Sequence, residues 1–111
     1  MFAGSFELDA AEAVVGDPGS RGVVIGGSGN GEQIAANKVR GVRAALAWSD
    51  ETATLAREHN DANVVALGSR LVGIDMAKAC LAAFLQTEFG GGRHQRRVDK
   101  LANPPAFKET A

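Results

Sequence analysis

A short apolar run, Gly22-Val23-Val24-Ile25, leads straight into Gly26-Gly27-Ser28-Gly29-Asn30-Gly31-Glu32 and then into the helix-compatible Gln33-Ile34-Ala35-Ala36-Asn37-Lys38. Four of the six residues from Gly26 to Gly31 are glycine. A strand, a bare-backbone loop and a helix N-terminus in that order make a site for an anion, because free N–H groups and the helix dipole face the same space. Glu32 sets a carboxylate at the lip of that space. A pocket for negative charge with a base beside it points to proton abstraction from an anionic substrate.

The same alternation continues along the chain. Ser5 to Val15 reads as a helix with Ser5 as its N-cap, and Asp17-Pro18-Gly19-Ser20 as a turn. Gly22 to Ile25 is a strand and Glu32 to Val39 a helix; Arg43 to Trp48 is a second strand, followed by a helix from Ser49 or Asp50 to about Asn60. Asn63 to Gly68 is a third strand, Ile74 to Leu85 a helix, and Gly90-Gly91-Gly92 breaks the chain before a last helix, Arg93 to Leu101. Strands alternating with helices imply an α/β fold: a three-layer αβα, Rossmann-like parallel sheet with right-handed crossovers. Three strands are few for such a sheet, and the chain opens on a helix where a strand is expected, so the reading is of a domain lacking its first strand and helix. Residues 1–103 form one domain, and 104–111, beginning Pro104-Pro105, form a tail.

Bulk properties narrow the function. A chain of 111 residues, 45% of them hydrophobic, supports one core. A formal net charge of −1 argues against broad attraction to nucleic acid or a membrane surface. No apolar run reaches the length of a membrane span, and no positive region precedes an apolar stretch at the N-terminus. Cys80, the single cysteine, lies in an apolar helical run; a buried residue is the first reading and a catalytic thiol the second. It can form no internal disulfide, which suits a reducing cytoplasm.

Two phosphate-binding motifs fail on the glycine loop. Gly26 and Gly31 have the P-loop spacing, but Glu32 stands where the lysine belongs and would repel a nucleoside triphosphate. The dinucleotide fingerprint needs glycines at i, i+2 and i+5; from Gly27 the third position is Glu32, and from Gly29 it is Ile34. Asp50 follows the second strand roughly where a ribose-binding acid would stand, so a phosphate- or nucleotide-binding module remains the alternative.

Residues 22–38 resemble the active-site loop of the ribose-5-phosphate isomerase B family, which also includes galactose-6-phosphate isomerase subunits. So do Gly41-Val42-Arg43-Ala44-Ala45-Leu46-Ala47-Trp48, Thr54-Leu55-Ala56-Arg57-Glu58-His59-Asn60, Ala66-Leu67-Gly68-Ser69-Arg70 and Arg93-His94-Gln95-Arg96-Arg97. The resemblance runs from about Ala10 to Leu101. Many members carry a cysteine as base at the position of Gly26. Glycine there, with Glu32 present, resembles the actinobacterial type that uses a glutamate.

The resemblance implies aldose–ketose isomerisation of a sugar phosphate, ribose 5-phosphate foremost, through an enediolate and without metal or cofactor. From spacing alone Glu32 is equally a first-turn glutamate favoured by the helix dipole; by resemblance it is the base. Gly27, Ser28, Gly29, Asn30 and Gly31 would surround the enediolate oxygens, and donors of this kind are worth about 3–4 kcal/mol each in other enzymes. His59 alone reads as a helix C-terminal dipole partner; by resemblance it opens the furanose ring and Asn60 contacts the sugar. Arg70 follows a strand at the carboxyl edge, where α/β sites lie. Arg93 and Arg97, four apart on a helix, share a face suited to phosphate. By resemblance they reach the neighbouring subunit's site in a homodimer or larger assembly. With no aromatic residues among them they read poorly as a nucleic-acid contact. The family's first strand ends in an Asp-His pair, and nothing here matches it. That departure implies weak turnover or an inactive fragment, and an open sheet edge.

Overall fold

A computed structural model describes residues 4–103 of the chain. Val64–Gly68 (β3) is apolar throughout and all five residues are buried, the pattern of a central strand with both faces covered. Gly22–Gly26 (β1) pairs with it in parallel, Gly22 opposite Val64 through Gly26 opposite Gly68. Ala44–Leu46 (β2) pairs on the other side, Ala44 opposite Val64 and Leu46 opposite Ala66. The sheet order is therefore β1-β3-β2, and among the described residues the outer edge of β1 has no partner strand.

Side chains of β3 alternate between two cores. Val64 and Ala66 join Ala11, Val14, Val24, Ala36, Val42 and Ala44 beneath Gly4–Val15 (α1) and Asn30–Ala36 (α2). Val65 and Leu67 join Ala53, Ala56, Cys80 and Phe84 beneath Asp50–Asn60 (α3) and Ile74–Gln86 (α4). Helices on both faces of a parallel sheet make the three-layer α/β architecture expected from the strand–helix alternation. A 3-10 turn, Gly92–His94, and Gln95–Ala102 (α5) complete the described chain.

The elements depart from expectation where side chains or glycines intervene. Helix α1 begins at Gly4, which places Ser5 inside its first turn. Helix α2 starts at Asn30 and stops at Ala36, because Asn37 turns to β2: its Nδ2 donates to the Ala44 carbonyl at 3.0 Å and its Oδ1 accepts from the Ala44 N–H at 2.8 Å. The strand expected from Arg43 narrows because the Arg43 N–H donates to Asn63 Oδ1 at 2.7 Å rather than to the ladder. Arg93 is a correction: it lies in the 3-10 turn and not on a helix with Arg97, since Gly91 and Gly92 both hold positive φ, 64° and 53°. The tail at 104–111 and the N-terminal residues 1–3 lie outside the described residues.

Helix α3 is fixed at both ends. Ser49 caps it, accepting from the Thr52 N–H at 3.1 Å, and the Thr52 hydroxyl accepts in turn from the Ser49 N–H at 3.1 Å. At the far end the buried Arg57 guanidinium donates to the carbonyls of Ala62 (2.7 Å) and Thr87 (3.0 Å) and pairs with Asp61 (2.8 Å). No helix among the described residues is long and apolar enough to cross a membrane.

Cys80 is fully buried beneath α3. Burial pushes its thiol up from the ordinary value, with the charge of Asp50 adding to the shift and a backbone hydrogen bond opposing it. The thiolate is the reactive form, so this cysteine is inert in the fold. Thiol-reagent titration at neutral pH is expected to label it only after denaturation; prompt labelling of the folded chain would contradict the burial. A raised folded value means its contribution to stability is intact below the ordinary thiol range and is lost as pH rises through the folded value.

Candidate functional site

In-register pairing ends β1 and β3 together, Gly26 beside Gly68, so the loop after β1 must pass across the end of β3. It does so in backbone contact: a Cβ on Gly68 would fall on the Ser28 carbonyl group. The segment after β3 answers with two hydrogen bonds, Ser69 N–H to Gly26 O at 2.7 Å and Arg70 N–H to Gly27 O at 2.9 Å. Gly29 turns the chain into α2 with φ 85°, and a Cβ there would meet Leu46 Cδ1 and the Leu67 carbonyl carbon at 2.7 and 3.0 Å. Only glycine suits both demands. The Asn30 N–H donates to Ser28 Oγ at 3.2 Å, and the Gln33 N–H starts the helix ladder on Gly29 O at 2.9 Å.

Glu32 projects from the first turn of α2 back over the strand end. Its carboxyl group occupies the space that a side chain at position 26 would fill. Glycine at 26 and glutamate at 32 are thus sterically matched. Arg70 lies over the next residue, its Nε, Cδ and Cζ 3.5–3.6 Å from where a Cβ on Gly27 would stand. Glu32 and Arg70 form no ion pair among the described residues, so a carboxylate and a guanidinium face one loop with their charges uncommitted.

The other expected residues gather elsewhere. His59 and Asn60 end α3, which returns the chain to the amino edge of the sheet just before β3 begins. Arg97 of α5 packs on them: one Nη donates to the His59 carbonyl at 2.6 Å, and its Nε donates to Asn60 Oδ1 at 3.2 Å. The same Nη lies 3.0 Å from His94 Nδ1. The His94 and His59 rings stack, centroids 4.4 Å apart and planes 18° from parallel. Arg93 is exposed on the adjoining turn.

One chain therefore carries two groups. Glu32, Gly27 to Gly31 and Arg70 stand at the carboxyl edge; His59, Asn60 and Arg97 stand at the amino edge. The five residues of β3 separate them by roughly 13 Å of strand. His94 was not singled out by sequence reasoning, although its place three residues before Arg97 was a usable signal. No group of three or more His, Cys, Asp or Glu that could hold a metal ion occurs among the described residues.

Fold and loop together define an open α/β domain with a glycine-rich loop at the carboxyl edge of its sheet, where ligands of such domains bind. The family model described as Ribose/Galactose Isomerase matches residues 4–101, and the chain belongs to that family. Ribose-5-phosphate isomerase B of Mycobacterium tuberculosis is 56% identical over 99 residues, which are 88% of this chain and 61% of the relative. Ribose-5-phosphate isomerase B of Escherichia coli is 46% identical over 96 residues, 86% of this chain and 64% of the relative. The solved Clostridium thermocellum ribose-5-phosphate isomerase B matches with a TM-score of 0.91 and 45% identity, covering 100% of this chain and 74% of that one. The chain thus spans about three fifths of the length of the curated relatives it matches.

Proposed function

We propose that this chain catalyses, or forms the greater part of a protein that catalyses, aldose–ketose isomerisation of a sugar phosphate, ribose 5-phosphate foremost. The observation that carries the reading is the Glu32 carboxylate lying over Gly26 at the mouth of the glycine loop. Glu32 takes the proton from C2 of the open-chain aldose, and the electrons move into a C1–C2 enediolate. The oxygen that gains charge is held by N–H groups between Gly27 and Gly31, with Ser28 and Asn30 beside them. Glu32 returns the proton to C1 while the O2 hydroxyl proton passes to O1, giving the ketose. Arg70 supplies positive charge at the same loop.

His59 and Asn60 stand at the opposite end of the sheet from Glu32, so a site containing both is built from two copies. His59, Asn60 and Arg97 of one copy, with Arg93 adjacent, complete the loop of the other. His59 then supplies the proton that opens the furanose ring, and the arginines grip the phosphate. This reading requires a homodimer or larger assembly.

Gly26→Ala separates the carboxylate's position from the fold. The new Cβ displaces only the end of a flexible side chain. The melting temperature is expected to stay within a few degrees. Exchange of the ribose 5-phosphate C2 proton with D2O should fall about tenfold to a hundredfold, the usual cost of misplacing a catalytic group by an ångström. Unchanged exchange would contradict the placement of the base. Calorimetric titration with ribose 5-phosphate, ATP and NAD separates this reading from nucleotide binding, which requires ATP or NAD to bind more tightly.

A further inference from the structure

We propose that His94 is a positioning residue for His59, a neutral imidazole platform that stacks on the ring-opening histidine and holds it in place. The inference rests on the reading of His59 as the proton donor for ring opening.

The geometry assigns the state of His94. A guanidinium has N–H donors and no acceptor, so the 3.0 Å contact from Arg97 requires a lone pair on His94 Nδ1. His94 is therefore the Nε2–H tautomer, and adding a proton to Nδ1 would break the bond to Arg97. That same Nη holds the His59 carbonyl, while Arg97 Nε holds Asn60, so Arg97 keeps its own anchors on α3 and His94 meets α3 through the stack on His59.

The surroundings favour the same state. His59 and Glu58 face His94 from α3, Arg93 precedes it on the turn, and Arg97 faces it from α5. Desolvation, then the charges of His59, Arg93 and Arg97, hold the His94 imidazole below its ordinary value, and Glu58 opposes them. The backbone is built to present the ring. The Gly90 N–H donates to Glu58 O at 3.0 Å, the His94 N–H donates to Gly91 O at 3.0 Å, and His94 Cδ2 lies 3.8 Å from where a Cβ on Gly90 would stand. Since the unfolded chain takes up the His94 proton at higher pH than the folded one, stability from this arrangement is complete above the ordinary histidine value and is lost as pH falls below it.

The test uses a difference between the two sugars. Ribose 5-phosphate is held mainly as a furanose, whereas ribulose 5-phosphate has its O5 blocked by phosphate and stays open-chain. His94→Ala is expected to lower the rate from ribose 5-phosphate about tenfold or more. It should leave exchange of the ribulose 5-phosphate C1 protons with D2O within about twofold of the parent. His94→Phe, a neutral ring that can still stack, should restore most of the ribose 5-phosphate rate. Equal losses with both sugars, or a phenylalanine variant as slow as the alanine one, would overturn the proposal. Nitrogen-15 NMR of the full chain adds a readout free of any activity. The Nε2–H tautomer of His94 is expected in the parent and a mixture in Arg97→Ala; a protonated Nδ1 in the parent at neutral pH would overturn the assignment. Absence of proton exchange from either sugar in the parent would instead count against the isomerase reading, with the tautomer result standing apart.

Discussion

Glu32→Gln is expected to lower exchange of the ribose 5-phosphate C2 proton about 10²–10⁴-fold, the range of a general base lost from its place. The amide has the shape of the carboxylate and cannot accept the proton. The loop should not move, because its hold on the sheet runs through Gly26 O, Gly27 O and the packing of Ser28 on Gly68, none of which involves the Glu32 side chain. Sugar-phosphate affinity should therefore stay within a few-fold, as read by calorimetry. Proton exchange is the preferred readout because it needs only the base and the oxyanion donors, and it reports on Glu32 even where net conversion is slow. Retained exchange in the glutamine variant would remove Glu32 as the base. A matching loss of affinity would show instead that the carboxylate organises the loop.

Gly68→Ala should cost about 3 kcal/mol or more, the upper range for overpacking a core. Gly68 is buried at the end of the central strand, and the added Cβ lands on backbone, the Ser28 carbonyl, which has no rotamer by which to withdraw. Either β3 shifts and strains both cores or the loop lifts from the sheet. The melting temperature is expected to drop by more than about 10 °C. Gly31→Ala is the control. Apart from its chain neighbours and its own helix backbone, no atom lies within 4 Å of the Cβ it would add, and its site is helical, so it should be neutral or stabilising by up to about 1 kcal/mol. A Gly68→Ala chain as stable as the parent would mean that the loop does not cross the strand end in contact.

Much of this architecture was legible in the chain. The apolar run at Val64–Gly68 reads as a buried central strand, and the glycine loop reads as a turn from strand into helix. The limits of elements were less legible because they depend on side chains far along the sequence, as with Asn37 on Ala44 and Asn63 on Arg43. The sequence pattern carries Arg93 into a helix because the left-handed φ at Gly91 and Gly92, which delays α5 to Gln95, has no signature beyond the glycines themselves. Glu32 stood out once two phosphate motifs failed on it. The division of the candidate residues between two edges was written in the topology: α3 runs back along β2 and β3, so its last residues cannot lie beside a loop at the carboxyl edge. His94, between an arginine and a glutamine, reads as one more polar residue; its stack on His59 exists only once α5 has docked on α3.

A site assembled from two copies, with Glu32 from one and His59 from the other, is tested most directly by mixing two disabled chains. Glu32→Gln and His59→Asn should each convert ribose 5-phosphate very slowly. Unfolded together in equal amounts and refolded, they are expected to recover about one quarter of the parent rate, because half of the dimers are mixed and each mixed dimer has one intact site of two. A mixture no faster than the average of the two separate chains would contradict a site shared between copies.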